Sequence, residues 1–294
     1  MNRALSLPRR NMLLALAALP ITAAALAVAP GVRAQEAGSA TTAPGGDTIP
    51  TGEGNLVIHP IAHSTMVLTW GGHTIYVDPV GGGEAFEGMP APTGILITHG
   101  HGDHFDMPTL EAIGATNVPL LVNQEVYDQL PADMQARASV GVNGEAATLS
   151  GININVIPAY NTSSDRLQFH PEGVGNGYVL NLADQRIYIA GDTEDTPEMR
   201  ALTDIDVAFL PMNLPYTMTE EQAADAVAAF GPRIVYPYHF SGSDPERFAE
   251  LVGTTAEVRI ADWYGPGNAD AEPPAPREET AQDAGDEADS EDAQ

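Results

Sequence analysis

Three histidines and one aspartate crowd into the stretch His99-Gly100-His101-Gly102-Asp103-His104, directly after the apolar run Ile95-Leu96-Ile97-Thr98. Imidazole and carboxylate are the side chains that hold zinc-like cations, and a loop leaving a strand end can turn several of them toward one point. Gly100 and Gly102 are expected to let that loop bend between ligands without Cβ clashes. Two further candidates also follow apolar runs: Asp192 comes after Ile187-Tyr188-Ile189-Ala190-Gly191, and His239 after Tyr236-Pro237-Tyr238. Ligands on one sheet edge belong at such strand ends. Taken alone, Asp192 reads equally as a turn residue and His239 as a core imidazole.

Such a site needs strands that end together. Short runs rich in Val, Ile and Tyr between turn signals predict strands over Leu56–Ile61, Met66–Trp70, Thr74–Val77, Ile95–Thr98, Leu120–Val122 and Ile152–Ile157. Further strands are predicted over Tyr178–Leu182, Arg186–Ala190, Val207–Leu210, Ile234–Tyr238 and Glu257–Ile260. Trp70-Gly71-Gly72-His73 reads as a hairpin turn. Thr219-Glu220-Glu221-Gln222 is a capping box opening an Ala-rich helix to Phe230, and Asp244-Pro245 opens another to about Val252. Shorter helices are expected near Pro108–Ile113, Gln124–Leu130 and Pro197–Leu202. A meander followed by alternating strands and helices fits two mixed sheets with helices outside.

With these motifs assembled, the sequence resembles the metallo-β-lactamase superfamily of metal-dependent hydrolases. Thr98–His104 matches its metal motif, Ile187–Thr193 its strand-to-Asp motif, and Tyr236–His239 its late strand-to-His motif. The wording of His63-Ser64-Thr65, Asp78-Pro79, Pro158-Ala159-Tyr160-Asn161, His170-Pro171-Glu172-Gly173 and Asp206–Pro211 is most similar to the ascorbate-6-phosphate lactonase-like branch. The resemblance implies a four-layer αββα sandwich with two divalent cations at one edge. Zinc is the default for so many histidines, with manganese or iron compatible. By position, His99 and His101 would hold the first cation, Asp103, His104 and His239 the second, and Asp192 would bridge them. The remaining ligand of the first cation falls to His170 in the lactonase-like pattern, or to the position of Asn161 in other relatives. His63 is expected near the site as substrate contact or proton donor, beside Asp103 as the other catalytic candidate. Asp78 is expected to hydrogen-bond a ligand rather than bind metal. Asn161 and Arg166 are the substrate-binding candidates, with Arg166 placed to meet an anionic group.

Composition narrows the function. With no cysteine, the chain has no disulfide scaffold, Cys-based zinc finger, iron–sulfur centre or cysteine nucleophile. No Gly-x-Ser-x-Gly elbow is present, and Gly173-Val174-Gly175-Asn176-Gly177 leads into a strand rather than opening a helix. The formal net charge is −28 and no lysine occurs, so nucleic acid is excluded as a partner and a small-molecule substrate is expected. Arg3, Arg9 and Arg10 before the apolar run Met12–Ala29, then Val32-Arg33-Ala34, predict an export signal over residues 1–34. Pro8-Arg9-Arg10-Asn11-Met12-Leu13 resembles a twin-arginine signal, which implies a periplasmic or secreted protein with no stable membrane insertion after cleavage. Residues 35–54 read as a flexible linker, 55–269 as the hydrolase domain, and 270–294 as a disordered acidic tail. The expected activity is metal-dependent hydrolysis of a small ester or lactone by a hydroxide held between two metals. The alternatives are a phosphodiesterase of the N-acyl phosphatidylethanolamine phospholipase D type, or a non-catalytic periplasmic metal-binding protein.

Overall fold

A computed structural model describes residues 46–265. The expected export signal and acidic tail lie outside the described residues. Among the described residues, no helix is long and apolar enough to cross a membrane.

Two seven-stranded sheets are built to one plan. The first contains β1 (Asp47–Thr51), β2 (Gly54–Ala62), β3 (Thr65–Trp70), β4 (His73–Val77), β5 (Gly94–Leu96), β6 (Leu120–Val122) and β7 (Ala138–Val140), in that spatial order. Its first four strands pair antiparallel and its last three join in parallel. The second contains β8 (Ala146–Leu149), β9 (Ile152–Ala159), β10 (Gly175–Leu182), β11 (Gln185–Ile189), β12 (Val207–Pro211), β13 (Ile234–Tyr238) and β14 (Glu257–Val258). It repeats the pattern of an antiparallel meander followed by parallel strands. Helices α1 (Met107–Ala112), α2 (Gln124–Gln129) and α3 (Ala132–Gln135) belong to the first half, and α4 (Pro197–Arg200), α5 (Glu220–Phe230) and α6 (Pro245–Val252) to the second.

Strand alternation assigns the layers. Met66, Leu68, Ile75, Val77, Leu96 and Leu121 join the large core shared with the second sheet. Their neighbours Val67, Tyr76, Ile95, Leu120 and Val122 pack with Leu110, Val126 and Met134 of α1, α2 and α3. Successive side chains therefore enter opposite layers, as a period of two requires. On the far side, Ala226, Val227 and Phe230 of α5 and Phe248 of α6 close the larger core. The result is the four-layer αββα sandwich.

All the strands and helices expected from sequence are present, but three short strands were not legible. The segment 35–54 is not wholly a linker, because β1 pairs with β2 from Asp47↔Ile58 to Thr51↔Gly54. Its one large apolar residue, Ile49, is buried, and Pro50 is tolerated because β1 lies at the sheet edge. One apolar side chain gives no alternation to read, and the small and polar residues of β7 and β8 give little more. The Gly71-Gly72 turn forms as expected, joining Trp70 to its partner His73 with φ of 55° and 85°.

Core and cap differ in what they contribute. Phe209 is fully buried, stacked on Tyr236 at 5.1 Å and edge-on to Tyr238 and Trp263 at 6.2 and 6.3 Å. Thr219 caps α5 by accepting from the Gln222 N–H, and the Gln222 side chain returns the bond. Phe209→Ala is expected to cost about 3–5 kcal/mol, whereas Thr219→Ala is expected to cost about 1 kcal/mol. Urea unfolding of the two variants checks this, and equal losses would contradict the layer assignment.

Candidate metal centre

The parallel directions place the site. Strands β2, β4 and β5 run the same way, as do β9, β11, β12 and β13, so their C-terminal ends gather their following residues at one edge. Residues beyond these ends supply His63, Asp78, His99, His170, Asp192 and His239. Two backbone bonds tie the sheets together there: His239 N–H donates to His63 O at 3.1 Å, and Asn176 N–H donates to Thr98 O at 3.0 Å.

The chain turns inward at a conformational cost. His63, Asp78 and His239 have φ of 49°, 44° and 48°, the left-handed region that L side chains avoid. Each stands one residue past a strand, so the same local strain aims three side chains into one space. Gly191 achieves this at φ 67°, where a Cβ would meet Asn176 O at 2.8 Å and Thr98 Cβ at 3.2 Å. The expectation for the other two glycines needs correcting. Neither Gly100 nor Gly102 has positive φ; Gly100 makes room for Glu125, whose carboxyl carbon lies 2.9 Å from an ideal Cβ, and Gly102 faces open space.

Hydrogen bonds on the outer side fix how three histidines face inward. Asp78 is buried and accepts from Thr98 N–H at 2.7 Å, Thr98 Oγ1 at 2.8 Å and His104 Nδ1 at 2.8 Å. Having donated to Asp78, the Thr98 hydroxyl accepts from His99 Nδ1 at 3.0 Å. His170 Nδ1 donates to Tyr216 O at 3.0 Å. With Nδ1 directed outward in all three, each Nε2 faces the interior and presents a lone pair to a cation once it has lost any second proton.

Those nitrogens converge. His99, His101 and His170 place ring nitrogens within 4.8 Å of one another, as do the ligand atoms of His99, His104 and Asp192, and those of His63, Asp103 and His239. Asp192 lies between the groups. Its Oδ2 is 3.3 Å from His170 Nε2 and 3.2 Å from His239 Nε2, and its Oδ1 is 3.4 Å from His104 Nε2. Asp103 Oδ2 is 3.3 Å from His239 Nε2 and 3.4 Å from His63 Nε2. Buried His104 Nε2, His170 Nε2, His63 Nε2 and Asp192 Oδ1 have no hydrogen-bond partner. Orphaned lone pairs turned toward a carboxylate fit cations better than a closed polar network.

Electrostatics follows the geometry. Burial, reinforced by His104, pushes His99 well below the ordinary histidine value. Burial also opposes charge on His104, but Asp192, Asp103 and Asp78 together hold it well above that value. His239 is likewise raised against burial to about 9, by Asp192 and Asp103. Burial would raise Asp192 and Asp103, yet the facing histidines hold both far below the usual carboxylate range.

The loop before His170 is held from outside. Asn161 Nδ2 donates to Arg166 O at 3.0 Å and Tyr216 O at 2.7 Å, and Asn161 N–H donates to His170 O at 2.8 Å. Asn161 therefore braces two loops, while His170 brings its nitrogen to the cluster. The expectation for Arg166 is corrected: its guanidinium is largely buried, 2.7 Å from Glu194 Oε1, and donates to Thr217 O at 2.8 Å. Its charge is thus met by a buried carboxylate through Nη1, and its bonds hold the loop. Sequence reasoning missed Glu194, which also accepts from Thr162 and Ser163 N–H at 2.7 and 2.5 Å, although it stands two residues after Asp192. It also missed Thr98, whose hydroxyl neighbours the motif, and Tyr264, 2.8 Å from His63 Nδ1 and 201 residues away in sequence.

The beta-lactamase superfamily domain profile matches residues 58–239. A UPF0173 metal-dependent hydrolase of Thermococcus onnurineus is 35% identical over 177 residues, covering 56% of this chain and 77% of that protein. Another from Deinococcus radiodurans is 30% identical over 223 residues, covering 69% and 90%. A solved structure from Parabacteroides distasonis, described as that of a metal-dependent hydrolase, is 40% identical with a TM-score of 0.68, covering 74% of this chain and 97% of its own. Domain match, relatives and fold agree with the histidine–carboxylate edge, and the chain belongs to the beta-lactamase superfamily, as a metal-dependent hydrolase of the metallo-β-lactamase fold.

Proposed function

We propose that this protein is an exported hydrolase using two divalent cations, zinc by default, to cleave a small uncharged ester or lactone. The observation carrying this reading is Asp192, a buried carboxylate with histidine nitrogens on both sides and an unpartnered Oδ1. His99, His101 and His170 would hold one cation, Asp103, His104 and His239 the other, with Asp192 shared. Cations held by these residues would supply a water acidic enough to attack near neutral pH and would polarise the substrate oxygen. Asp78 and Thr98 keep the ligand rings in register, and Glu194 with Arg166 fixes the loop carrying His170.

Substrate charge is argued from what surrounds the cluster. The 55–269 segment has only seven arginines and no lysine, a poor lining for a polyanion. Arg166 is paired with Glu194. Beside His170, Phe169 and half-exposed Tyr216 form an edge-on pair at 5.0 Å, an apolar flank suited to an uncharged group.

Screening metal-loaded mature protein on neutral esters, lactones, phosphodiesters, β-lactams and RNA tests the proposal. Turnover is expected for an ester or lactone, lost in His101→Ala. Cleavage of RNA alone, or full activity of His101→Ala, would overturn it. Asp78→Asn is expected to lower metal affinity or turnover by about 10–100-fold while circular dichroism stays unchanged.

Metal uptake should depend on pH. A ligand histidine must lose its proton to bind, and His104, held well above its usual value, and His239, raised to about 9, carry protons at neutral pH. Titrating stripped protein with zinc near neutrality should release protons, and affinity should rise with pH toward that of His239. Calorimetry in buffers of different protonation enthalpy checks this, and proton-neutral binding would contradict it. For export, the mature chain should begin near Gln35 outside the cytoplasm, with Arg9-Arg10→Lys-Lys blocking its appearance there. Normal secretion of that double variant would exclude the twin-arginine route.

A further inference from the structure

His63 is held in the opposite sense to the histidines beside it. His99, His104 and His170 each direct Nδ1 at an acceptor: the Thr98 hydroxyl, the Asp78 carboxylate and the Tyr216 carbonyl. His63 Nδ1 instead meets the Tyr264 hydroxyl at 2.8 Å. That oxygen already accepts the Phe240 N–H at 2.9 Å. A phenol oxygen has two lone pairs and one proton. With one lone pair taken by a backbone amide, its proton can point at His63 Nδ1, and the other ring nitrogen, Nε2, faces the Asp103 carboxylate at 3.4 Å, where a proton is favoured.

An imidazole accepting at Nδ1 carries its proton at Nε2. We infer that Tyr264 fixes His63 as an Nε2–H donor facing the cation site, so that His63 binds a substrate oxygen and is not a metal ligand. The backbone supports a fixed orientation. His63 N–H donates to Trp263 O at 3.2 Å, and its carbonyl accepts His239 N–H at 3.1 Å. Its ring lies against His239 with centroids 3.7 Å apart. Nε2 is buried without a hydrogen-bond partner, and the nearest carboxylate oxygen, Asp103 Oδ2, is 3.4 Å away.

Position alone would allow the contrary assignment, because His63, Asp103 and His239 cluster closely enough to hold a cation. The Tyr264 bond decides against it, since a protonated Nε2 has no lone pair to give. His63 would then donate to the oxygen that gains charge as the ester or lactone carbonyl is attacked. Tyr264 is a positioning residue, acting through His63 alone. The tautomer is independent of the proposed activity; its effect on turnover rests on that activity.

The test combines a proton-position measurement with metal content and kinetics. Histidine-selective 15N NMR of the wild-type protein, stripped and cadmium-loaded, should show His63 with hydrogen on Nε2 and no cadmium coupling. His63→Ala serves for assignment and should retain the wild-type metal content. In zinc-loaded enzyme, His63→Ala should lower kcat on the order of 10²-fold with little change in KM. His63→Gln, which keeps an N–H, should recover part of that loss. Tyr264→Phe should lower kcat by about tenfold and give mixed His63 tautomers. Cadmium coupling to His63, hydrogen on Nδ1 in the wild type, or one cation lost in His63→Ala would each overturn the inference. If no ester or lactone is turned over, the nitrogen spectrum and metal content still decide the assignment.

Discussion

The architecture depends on making a buried carboxylate tolerable. Asp192 is nearly sequestered from solvent, and its oxygens lie within 4.0 Å of ring nitrogens from His99, His104, His170 and His239. An isolated buried carboxylate is costly, and positive charge within contact distance is what offsets that cost. The strand directions bring the flanking histidines to that one place. The left-handed residues His63, Asp78 and His239 are where the backbone departs from regular geometry to do so. Strain at strand ends and unpartnered ligand atoms therefore meet at one place, the edge whose residues would hold cations.

Around the cluster runs a shell of hydrogen bonds whose polarity carries information. Asp78 and Thr98 form one relay, turning His99 and His104 so that both face Nε2 inward. Tyr216 O does the same for His170, and Glu194 with Arg166 keeps that loop in place. Tyr264 reverses the pattern at His63. Histidines clustered in the same few ångströms are thus given different capacities by what lies behind each ring.

Much of the site was legible because its residues stand next to strong local patterns. His99 to His104 follow a buried strand, and Asp192 and His239 follow two more, so chemistry and periodicity point to the same positions. The large sheets were legible for the same reason, since runs such as Met66–Trp70 alternate cleanly between two cores. Strand β1 was not, because Thr, Pro and Asp surround its one buried Ile49 and the pairing with β2 defines it. Arg166 was misread because a charge in a loop says nothing about its partner, and Glu194 meets it only once the chain is folded. Tyr264 was invisible for the same reason at larger range.

The central claim is that this edge binds two cations sharing Asp192. Anomalous diffraction from crystals of zinc-loaded protein, collected on both sides of the metal's absorption edge, addresses it directly. Two peaks should appear, one against His99, His101 and His170 and one against Asp103, His104 and His239, each about 2.0–2.2 Å from an Asp192 oxygen. A single peak, or two peaks with Asp192 bound to neither, would contradict the account.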